Sequence, residues 1–297
     1  MPEIELSFLI ATRNRRDSLV RCLRSIEAQR HGRRETVVVD DASSDGTDET
    51  VRRLFPSVRV IRLPEHSGIG AAYAAAAREA SGDAYVNLDD DCRLVSDDGA
   101  GVIARYFERM PDLGVLCCRV EAPDGSIRHR EIPRRDKRLP GTDTEVGYFL
   151  GGASAIRAKA LESVGGYPLG IAYGSEENDI AFRLFKAGWR MLFTPRVRVV
   201  HEAIPSPENT ENREANYARN EIELAAHYLP APYAQVHALL WAGESLQQAA
   251  RSRHLPQTVD AAGEALRRWH ALRGRKGERL SLAETRRLSR LSGRTWY

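Results

Sequence analysis

The sequence predicts an α/β fold, with a mixed and mostly parallel sheet flanked by helices, followed by an α-helical C-terminal region. Apolar, β-prone runs alternate with helical patterns over roughly the first 200 residues, as in chains built from strand–helix–strand units. Three of the predicted strands end in polar clusters. From residue 209 onward, apolar residues recur only at helical spacing.

The first half of the α/β region is predicted to contain four strands, with a helix after each of the first three. The strands lie at residues 4–11, 35–39, 58–63 and 84–88. The first helix has four apolar residues at helical spacing, Leu19, Cys22, Leu23 and Ile26. Helical crossovers let neighbouring strands run parallel, so their carboxyl ends should meet at one edge of the sheet.

The second half is predicted to add strands and helices around a basic loop. A helix at 98–110 precedes a strand at 113–120, and the loop at 124–138 carries six Lys/Arg, so we expect it to be exposed. The strand-like segment 149–156 contains a glycine pair, which marks a bulge or the close approach of a ligand to the backbone. A helix at 157–164, a helix opening at residue 176 and two strands follow, at 189–194 and 197–200.

Four helices are predicted in the C-terminal region, at residues 209–228, 231–250, 256–273 and 280–291. The boundary lies near 203–208, which divides the chain into residues 1–204 and 205–297. Residues 251–297 carry 12 Lys/Arg and 4 Asp/Glu, with five apolar residues available for one side: Leu255, Val259, Leu266, Trp269 and Leu272. This pattern indicates peripheral contact with an anionic membrane, helix packing or dimerisation through the apolar side, or simply a solvated helical face.

The composition is that of an ordinary soluble globule, with 42% hydrophobic and 29% charged residues. Cysteines are few, and their spacing suits neither a metal site nor a disulfide framework, which fits a reducing compartment. No apolar run approaches the ~20 residues of a membrane-spanning helix. The chain opens on a strand and not on a signal peptide. We therefore expect a cytoplasmic protein that works in solution or at the inner face of the membrane.

Three adjacent carboxylates, Asp89, Asp90 and Asp91, follow the fourth strand directly. Like charges in a row repel one another, and burying them without a partner is costly. A divalent cation would resolve the conflict, because carboxylate oxygens suit Mg²⁺ or Mn²⁺, especially where phosphates complete the coordination shell. The alternative interpretation is an acidic loop that caps the next helix.

Polar residues also follow the first two strands, at 12–14 and at 40–41. Ligands of parallel sheets bind beyond the carboxyl ends of the strands, so these residues and the carboxylate triplet predict a shared ligand crevice. A second acidic cluster, residues 176–179, opens a helix. Acidic residues there complement the helix dipole, which is one explanation of the cluster. Glu176 or Glu177 is also well placed for a general base.

Five segments, in this order, resemble the motifs of the family-2 glycosyltransferases of the GT-A fold, which are metal-dependent inverting enzymes that use nucleotide sugars. The segments are 7–15 (SFLIATRNR), 38–47 (VVDDASSDGT), 87–91 (NLDDD), 151–153 (GGA) and 176–183 (EENDIAFR), the last followed by Gly188-Trp189. The resemblance runs along residues 4–201. It implies a catalytic domain at 1–204, with a nucleotide-binding half at about 1–95 and an acceptor-binding half at about 96–204.

The resemblance implies a role for individual residues. Those that would bind the nucleotide, with Asp41 on its base, are Thr12, Arg13, Asn14, Asp41, Asp89 and Asp90. Those that would hold Mn²⁺ or Mg²⁺ against the diphosphate are Asp91, Asp89 and His201. The general base would be Glu177, at the second position of the family's acidic pair, with Glu176 as its competitor. The acceptor would meet Gly151, Gly152 and Asp179.

The sequence departs from the family's pattern in three places. Tyr73-Ala74 replaces an Arg-Asn pair that many relatives carry on the third helix, which removes one expected contact with the nucleobase. Glu177 stands where Asp is commoner, and its longer reach leaves Glu176 in competition for the role. Ala265 stands where the Gln-x-x-Arg-Trp signature of processive synthases requires Gln, before Arg268-Trp269. The last departure argues for a non-processive enzyme.

The implied reaction moves a sugar from a nucleotide-diphosphate sugar to a hydroxyl of a saccharide, a lipid-linked or another acceptor, with inversion. A diphosphate leaving group needs a cation, and the attacking hydroxyl needs a base. One alternative is a nucleotidylyltransferase, which should carry a glycine-rich loop where residues 12–15 have no glycine. Another is a non-catalytic nucleotide-sugar-binding protein, which the retained carboxylates disfavour. No aromatic stacking platform indicates a nucleic-acid partner.

Overall fold

A sheet of nine strands organises the part of the chain that the computed structural model describes, residues 4–133, 141–171, 173–204, 213–274 and 277–291. The first half contributes the strands β1 (Leu6–Thr12), β2 (Arg34–Asp40), β3 (Arg59–Arg62), β4 (Ala84–Leu88) and β5 (Cys92–Leu94). Its helices are α1 (Arg16–Glu27), α2 (Thr47–Leu54) and α3 (Ile69–Glu79). The four predicted strands and three helices are confirmed, and β5 was missed.

The second half continues the sheet and adds the helices of its other end. In chain order it contains α4 (Gly99–Arg109), β6 (Leu113–Glu121), a 3₁₀ turn (His129–Glu131), β7 (Thr144–Glu145), β8 (Ala153–Arg157), α5 (Ala158–Ser163), α6 (Glu176–Lys186) and β9 (Arg190–His201). The described C-terminal helices are α7 (Arg213–Tyr228), α8 (Tyr233–Ser252), α9 (Leu255–Arg267) and α10 (Leu282–Arg290).

The strand order is β3-β2-β1-β4-β8-β6-β9-β5, with β7 on β9. Strands β1 to β4 run parallel to one another, whereas β8 is antiparallel to both β4 and β6. Because β8 runs the opposite way, its first residue, Ala153, pairs with Leu88 at the carboxyl end of β4. The glycine pair before β8 therefore reaches the sheet edge where the carboxylate triplet lies.

The sheet buries its two faces against two hydrophobic layers. Alternate residues of a strand point to opposite faces, and β1 shows the division clearly. Phe8 and Ile10 pack in the layer with residues of α1, α2 and α4, and Leu9 packs in the layer with residues of α3, α5 and α6. All three side chains are fully buried. This arrangement is the predicted mixed sheet flanked by helices.

Two of the sequence-based strand assignments need correction. The predicted strands at 189–194 and 197–200 are one strand, β9, whose pairing with β6 shifts between Phe193 and Arg198. Pro195 lies in that irregular stretch, where a missing N–H removes no ladder bond. The predicted strand at 149–156 begins only at Ala153. The residues before it are irregular, as a glycine pair favours.

The C-terminal helices extend the hydrophobic layer that contains α6. The rings of Phe182 on α6 and Tyr228 on α7 stack with centroids 5.1 Å apart. The predicted apolar side of the tail is divided, because Trp269 packs against this layer while Leu255, Val259 and Leu266 are 40–54% exposed. The predicted boundary at 203–208 lies largely outside the described residues, and the domain division stays a prediction.

No helix within the described ranges combines the length and the apolarity that crossing a bilayer requires. The four cysteines, Cys22, Cys92, Cys117 and Cys118, are buried free thiols. Burial raises the pKa of each thiol, so all four are inert packing groups at neutral pH. The absence of a disulfide framework among them agrees with the prediction.

Candidate active site

The carboxylate triplet lies at the sheet edge, directly against the glycine pair. The backbone N–H of Asp89 donates to the carbonyl oxygen of Gly152 at 3.1 Å. A Cβ added to Gly152 would overlap the carboxylate of Asp89. The close approach predicted at this glycine is therefore made by a side chain of the protein itself, and any larger residue would displace Asp89.

Asp91 is buried and is held by three groups. Arg15 Nη1 and the backbone N–H of Ile204 donate to its Oδ2 at 3.1 and 2.8 Å, and Nε2 of His201 lies 3.3 Å from Oδ1. Burial by itself would raise the pKa of Asp91, but the hydrogen bond and charge of His201 outweigh it and lower that pKa. Asp91 is therefore the triplet member that stays ionised.

For Asp90 and Asp89, the favourable contacts offset less of the cost of burying a charged carboxylate. The hydroxyl of Thr12 donates to Asp90 at 2.7 Å, and Arg15 donates to its other oxygen at 3.1 Å. Even so, burial raises the pKa of Asp90 to about 7. Burial and the neighbouring Asp91 raise the pKa of Asp89 to about 6. The triplet thus carries more negative charge than its surroundings stabilise, which is the property of a site that accepts a cation.

His201 completes a group of side chains that could hold a metal ion. Potential ligand atoms of four described residues lie within 4.8 Å of one another: Asp89, Asp91, Cys92 and His201. Two carboxylates with an imidazole form a donor set that suits Mn²⁺ or Mg²⁺ completed by phosphate oxygens. Cys92 is buried in the core with its thiol protonated, so we assign it no role as a ligand.

Glu131 holds His201 from the side away from Asp91. Nδ1 of His201 lies 2.8 Å from Oε2 of Glu131. Burial opposes a charged ring, but the hydrogen bonds to Asp91 and Glu131 raise the pKa of His201 to about 10. Glu131 belongs to the basic loop that we predicted to be exposed. That prediction is wrong for Ile132, which is buried, and for Glu131, which reaches the site, whereas residues 124–126 and His129 are exposed as predicted. Residues 134–138 lie outside the described residues.

The predicted nucleotide-binding residues come together beyond β1 and β2. Asp41 accepts hydrogen bonds from the backbone N–H groups of Ser67 and Gly68 at 2.8 and 3.0 Å, and contacts His66 Nδ1 at 2.7 Å. Asp41 thereby holds the loop that opens α3. Nη1 of Arg13 donates to the carbonyl oxygen of Asp41, and Asn14 accepts from the backbone N–H of Ser44 at 2.7 Å. Their contacts with a nucleotide stay a prediction.

The second acidic cluster begins α6 on the other side of the glycine pair. A Cβ added to Gly151 would lie 3.9 Å from Oε1 of Glu176. The two glycines therefore separate the clusters, with Gly152 against Asp89 and Gly151 facing Glu176. The turn into α6 is strained, because Gly174 and the buried Ser175 both have left-handed backbone, at φ +82° and +68°. For Ser175 this costs of order 1–3 kcal/mol.

Glu176 and Glu177 have no cationic partner among the residues that the structure describes. No Arg, Lys or His forms an ion pair with either carboxylate within the described part of the chain, and Oε2 of Glu176 is buried there without a hydrogen-bond partner. Burial raises the pKa of Glu176. Burial, followed by the charge of Glu176, raises the pKa of Glu177 well above its ordinary value. Carboxylates in this state are strong proton acceptors.

Asp179, the remaining predicted site residue, is engaged within the helix layer. It accepts from Nε of Arg183 at 2.8 Å and from the hydroxyl of Tyr228 at 2.6 Å. The first contact lies within α6, and the contact with Tyr228 fastens α6 to α7. The predicted contact of Asp179 with an acceptor stays a prediction, and the present contacts account for the residue without one.

Three aromatic residues beside the second cluster were missed by the sequence analysis. The rings of Tyr173 and Tyr217 meet edge to face with centroids 6.5 Å apart, and those of Tyr217 and Trp241 stack at 6.5 Å. All three are partly exposed. The pKa values of both tyrosines are raised, first by burial, with contributions from Glu176 and Glu177. Their spread along the chain leaves no motif by which the sequence indicates them.

Relatives with similar sequences are glycosyltransferases by name. An N-acetylglucosaminyl-diphospho-decaprenol L-rhamnosyltransferase of Mycobacterium tuberculosis is 27% identical over 200 residues, which are 56% of this chain and 65% of that protein. The human polypeptide N-acetylgalactosaminyltransferase 10 is 26% identical over 194 residues, 56% of this chain and 32% of that protein. The chain thus spans less than two thirds of the length of these relatives.

Solved structures share the fold. A mannosyltransferase from Pyrobaculum calidifontis, in complex with GDP-Man and Mn²⁺, superposes with a TM-score of 0.60 at 22% identity, covering 97% of this chain and 79% of that one. S. aureus TarS 1–349, in complex with UDP-GlcNAc, superposes with a TM-score of 0.62 at 17% identity, covering 91% and 84%. The predicted GT-A fold is confirmed.

The family assignment rests on the sequence itself. The model of the family described as glycosyl transferase family 2 matches residues 7–165, more than half of the chain. The matched range contains the first four of the five segments on which the resemblance was based, and the fifth, residues 176–183, supplies the second acidic cluster. The chain belongs to glycosyl transferase family 2.

Proposed function

We propose that this chain transfers a sugar from a nucleotide-diphosphate sugar to a hydroxyl acceptor by direct displacement with inversion, without processive polymerisation. One observation carries the proposal. Two acidic clusters face each other across Gly151 and Gly152, one in contact with cationic side chains and the other without an ion pair in the described parts of the chain. The first arrangement suits a charged donor, and the second suits removal of a proton from an acceptor on the opposite side of the sugar.

The donor side would hold Mn²⁺ or Mg²⁺. The residues that fit the ion are Asp91 and Asp89 together with His201, whose ligand atoms lie close together. A bound divalent cation would stabilise the charge that develops on the departing diphosphate. Arg15, already on Asp90 and Asp91, adds a fixed positive charge at the same edge. The Mn²⁺ named with the Pyrobaculum mannosyltransferase supports this assignment. Thr12, Arg13, Asn14 and Asp41 would form the nucleotide pocket.

The acceptor side would supply the base. We assign the role to Glu177, at the second position of the acidic pair, with Glu176 as the alternative because it faces Gly151 directly. The raised pKa of each carboxyl supports proton transfer from an alcohol. The partly exposed rings of Tyr173, Tyr217 and Trp241 would receive the acceptor, since binding sites are commonly lined by aromatic surface with a few polar groups.

The first experiment is a screen of nucleotide sugars for hydrolysis with and without Mn²⁺, because it requires no acceptor. We expect one nucleotide sugar to be cleaved only with the metal. A nucleotidylyltransferase would instead release pyrophosphate from a nucleoside triphosphate and a sugar phosphate. A non-catalytic protein would bind nucleotide sugars without turnover, and either result would contradict the proposal.

The proposal also covers the class of acceptor and the place where the enzyme works. The rhamnosyltransferase relative acts, by its name, on a decaprenol-linked saccharide, which supports a lipid-linked acceptor and work at the cytoplasmic face of a membrane. The exposed Leu255, Val259 and Leu266 on α9 would then meet lipid, with packing into a homodimer as the competing use. Salt-sensitive co-sedimentation with anionic vesicles, lost on truncation at Arg251, supports the membrane. A change of oligomeric state without vesicle binding supports the dimer.

A further inference from the structure

Helix α7 places two consecutive polar side chains against the segment that carries the candidate bases. Nδ2 of Asn220 donates to the carbonyl oxygens of Tyr173 and Gly174 at 3.0 and 2.7 Å. One residue later, Oε1 of Glu221 accepts from Nδ2 of Asn178 at 2.7 Å. The first pair of contacts holds the turn before α6, and the last one holds the first turn of α6 itself.

His237 on α8 contacts the carboxylate of Glu221 and holds it in place. Nε2 of His237 lies 2.9 Å from Oε2 of Glu221, and both side chains are fully buried. The other ring nitrogen, Nδ1, has no partner within the described residues, which leaves Nε2 to donate to Glu221. Each carboxylate oxygen thus has one partner, and the chain Asn178–Glu221–His237 joins α6, α7 and α8 through the interior.

The held segment has a conformation that local sequence does not favour. Gly174 and Ser175 are left-handed in succession, and the hydroxyl of the buried Ser175 finds no partner among the described residues. Such backbone persists only where the surroundings determine it. A buried carboxylate is also an expensive way to fill a core, since apolar residues of similar volume would pack there at less cost. The two observations together indicate a positional purpose for Glu221.

We propose that Glu221, seated by His237, is a positioning residue that fixes the first turn of α6 and so aims Glu177 at the acceptor. The inference rests on the proposed function, because it takes Glu177 as the base. It also makes the C-terminal helices part of the catalytic apparatus, since α7 and α8 supply the two residues that hold the base although neither residue touches the sugar.

The charge of Glu221 supplies a second, electrostatic effect that a purely structural residue would lack. Three carboxylates face Glu177: Glu176 on its own helix, Glu221 on α7 and Asp89 at the end of β4. The hydroxyls of Tyr173 and Tyr217 also interact with Glu177, and the guanidinium of Arg213 lies over the ring of Tyr217. Burial is the largest cause of the raised pKa of Glu177, and the charge of Glu221 raises it further. Removing that charge should lower the pKa of the base.

The test compares Glu221→Gln and Glu221→Ala with Glu223→Gln, which removes the same charge two residues away, where Glu223 pairs with Arg268 at the surface. Glutamine keeps the volume and one acceptor oxygen, and a change of tautomer lets Nε2 of His237 accept from its NH2 group. Glu221→Gln should therefore shift the acid limb of kcat to lower pH with little loss at high pH. Alanine removes the support, so kcat should fall by ~10–100-fold while donor affinity by calorimetry stays unchanged. The control should behave as wild type.

Hydrogen exchange separates this inference from the function on which it rests. Glu221→Ala should speed amide exchange across residues 173–183, whether or not the enzyme's substrates are known. Wild-type protein that turns over no nucleotide sugar would contradict the proposed function and leave this readout valid. Unchanged exchange with unchanged kcat in Glu221→Ala overturns the inference, and so does equal loss of donor affinity and kcat. If Glu221→Ala does not fold, an unmoved acid limb in Glu221→Gln overturns it.

Discussion

The two acidic clusters have similar composition but opposite surroundings. At the end of β4, Asp90 and Asp91 receive the guanidinium of Arg15, and Asp91 also meets His201. At the start of α6, Glu176 and Glu177 receive no ion pair within the described residues, and the nearest buried side chains of α7 add a further carboxylate, Glu221. The cluster at the end of β4 thus has cationic partners, and in the described structure the cluster at the start of α6 has none.

The difference gives chemically similar side chains different protonation behaviour. The hydrogen bond and charge of His201, with the charge of Arg15, lower the pKa of Asp91, so it remains anionic over a wide pH range. Burial without cations raises the pKa values of Glu176 and Glu177, so these carboxylates take up protons readily. The pair Gly151–Gly152 lets the two environments approach without a side chain between them. A sugar held across the pair would meet a charged leaving-group site on one side and a base on the other.

The largest expected effect is on the base. Glu177→Gln keeps the volume but cannot accept the proton of the acceptor, so transfer should fall by ~10²–10⁴-fold. Donor affinity, measured by calorimetry, should remain at the wild-type value because the other cluster is unchanged. Glu176→Gln is the matched control at the neighbouring position. Full activity in Glu177→Gln together with loss in Glu176→Gln would reassign the base.

The next effect is on the metal. Asp91→Asn removes the carboxylate that its surroundings keep ionised, so the increase in affinity for UDP, dTDP or GDP on adding Mn²⁺ or Mg²⁺ should disappear. Titration calorimetry with and without the metal measures it, with Glu177→Gln as the control that should retain the increase. Equal nucleotide affinity with and without metal in the wild-type protein would sink the assignment of this cluster.

A smaller effect should come from Glu131, which orients His201 from behind. Glu131→Gln should weaken Mn²⁺ binding by ~10–100-fold, as loss of a carboxylate behind a metal-binding histidine commonly does. Glu202→Gln is the control, because Glu202 is next in sequence to His201 but pairs with Arg21 and Arg93 instead. Equal Mn²⁺ affinity in the two variants would show that only net charge matters at this edge.

The pH dependence of kcat should reflect the raised pKa of Glu177 at the start of α6. Because burial raises the pKa of Glu177, the base keeps its proton at pH values where an ordinary glutamate, with a pKa of about 4.3, has lost it. Activity should therefore fall as the pH is lowered, along a limb that lies clearly above pH 4.3. A rate profile with its acid limb at an ordinary carboxylate pKa would show that the base is solvated, contrary to the structure.

The smallest effect is on stability. A carboxyl whose pKa is raised in the folded state destabilises that state above its ordinary pKa, and the penalty disappears as the pH falls through the raised pKa. Glu176→Gln should therefore raise the melting temperature at pH 7, with the difference from wild type shrinking on acidification. The comparable change in the cation-rich cluster, Asp91→Asn, should lower it, because Asp91 has a depressed pKa. Calorimetry across pH distinguishes the two signs.

The sequence by itself determined the strand–helix order, the family and the positions of both acidic clusters. These depend on local signals: apolar periodicity for α1, β-branched runs for β2, and charged residues directly after strands, where a core has no use for them. The short strands β5 and β7 escaped notice because three and two residues carry no periodicity. The sequence around Pro195 likewise predicted two separate strands, whereas the structure has one strand, β9, whose pairing with β6 is irregular at that point.

Only the tertiary structure decided what surrounds each cluster. Arg15, Glu131 and Glu221 are unremarkable in the sequence, being one arginine among several and two glutamates on polar stretches. The parallel edge brings Arg15 to the triplet, the loop after β6 folds back to place Glu131 behind His201, and α7 packs Glu221 against α6. Burial and neighbouring charge set a carboxylate's pKa, and both come from residues distant in the chain. The difference in pKa between the two clusters therefore appears only in the folded protein.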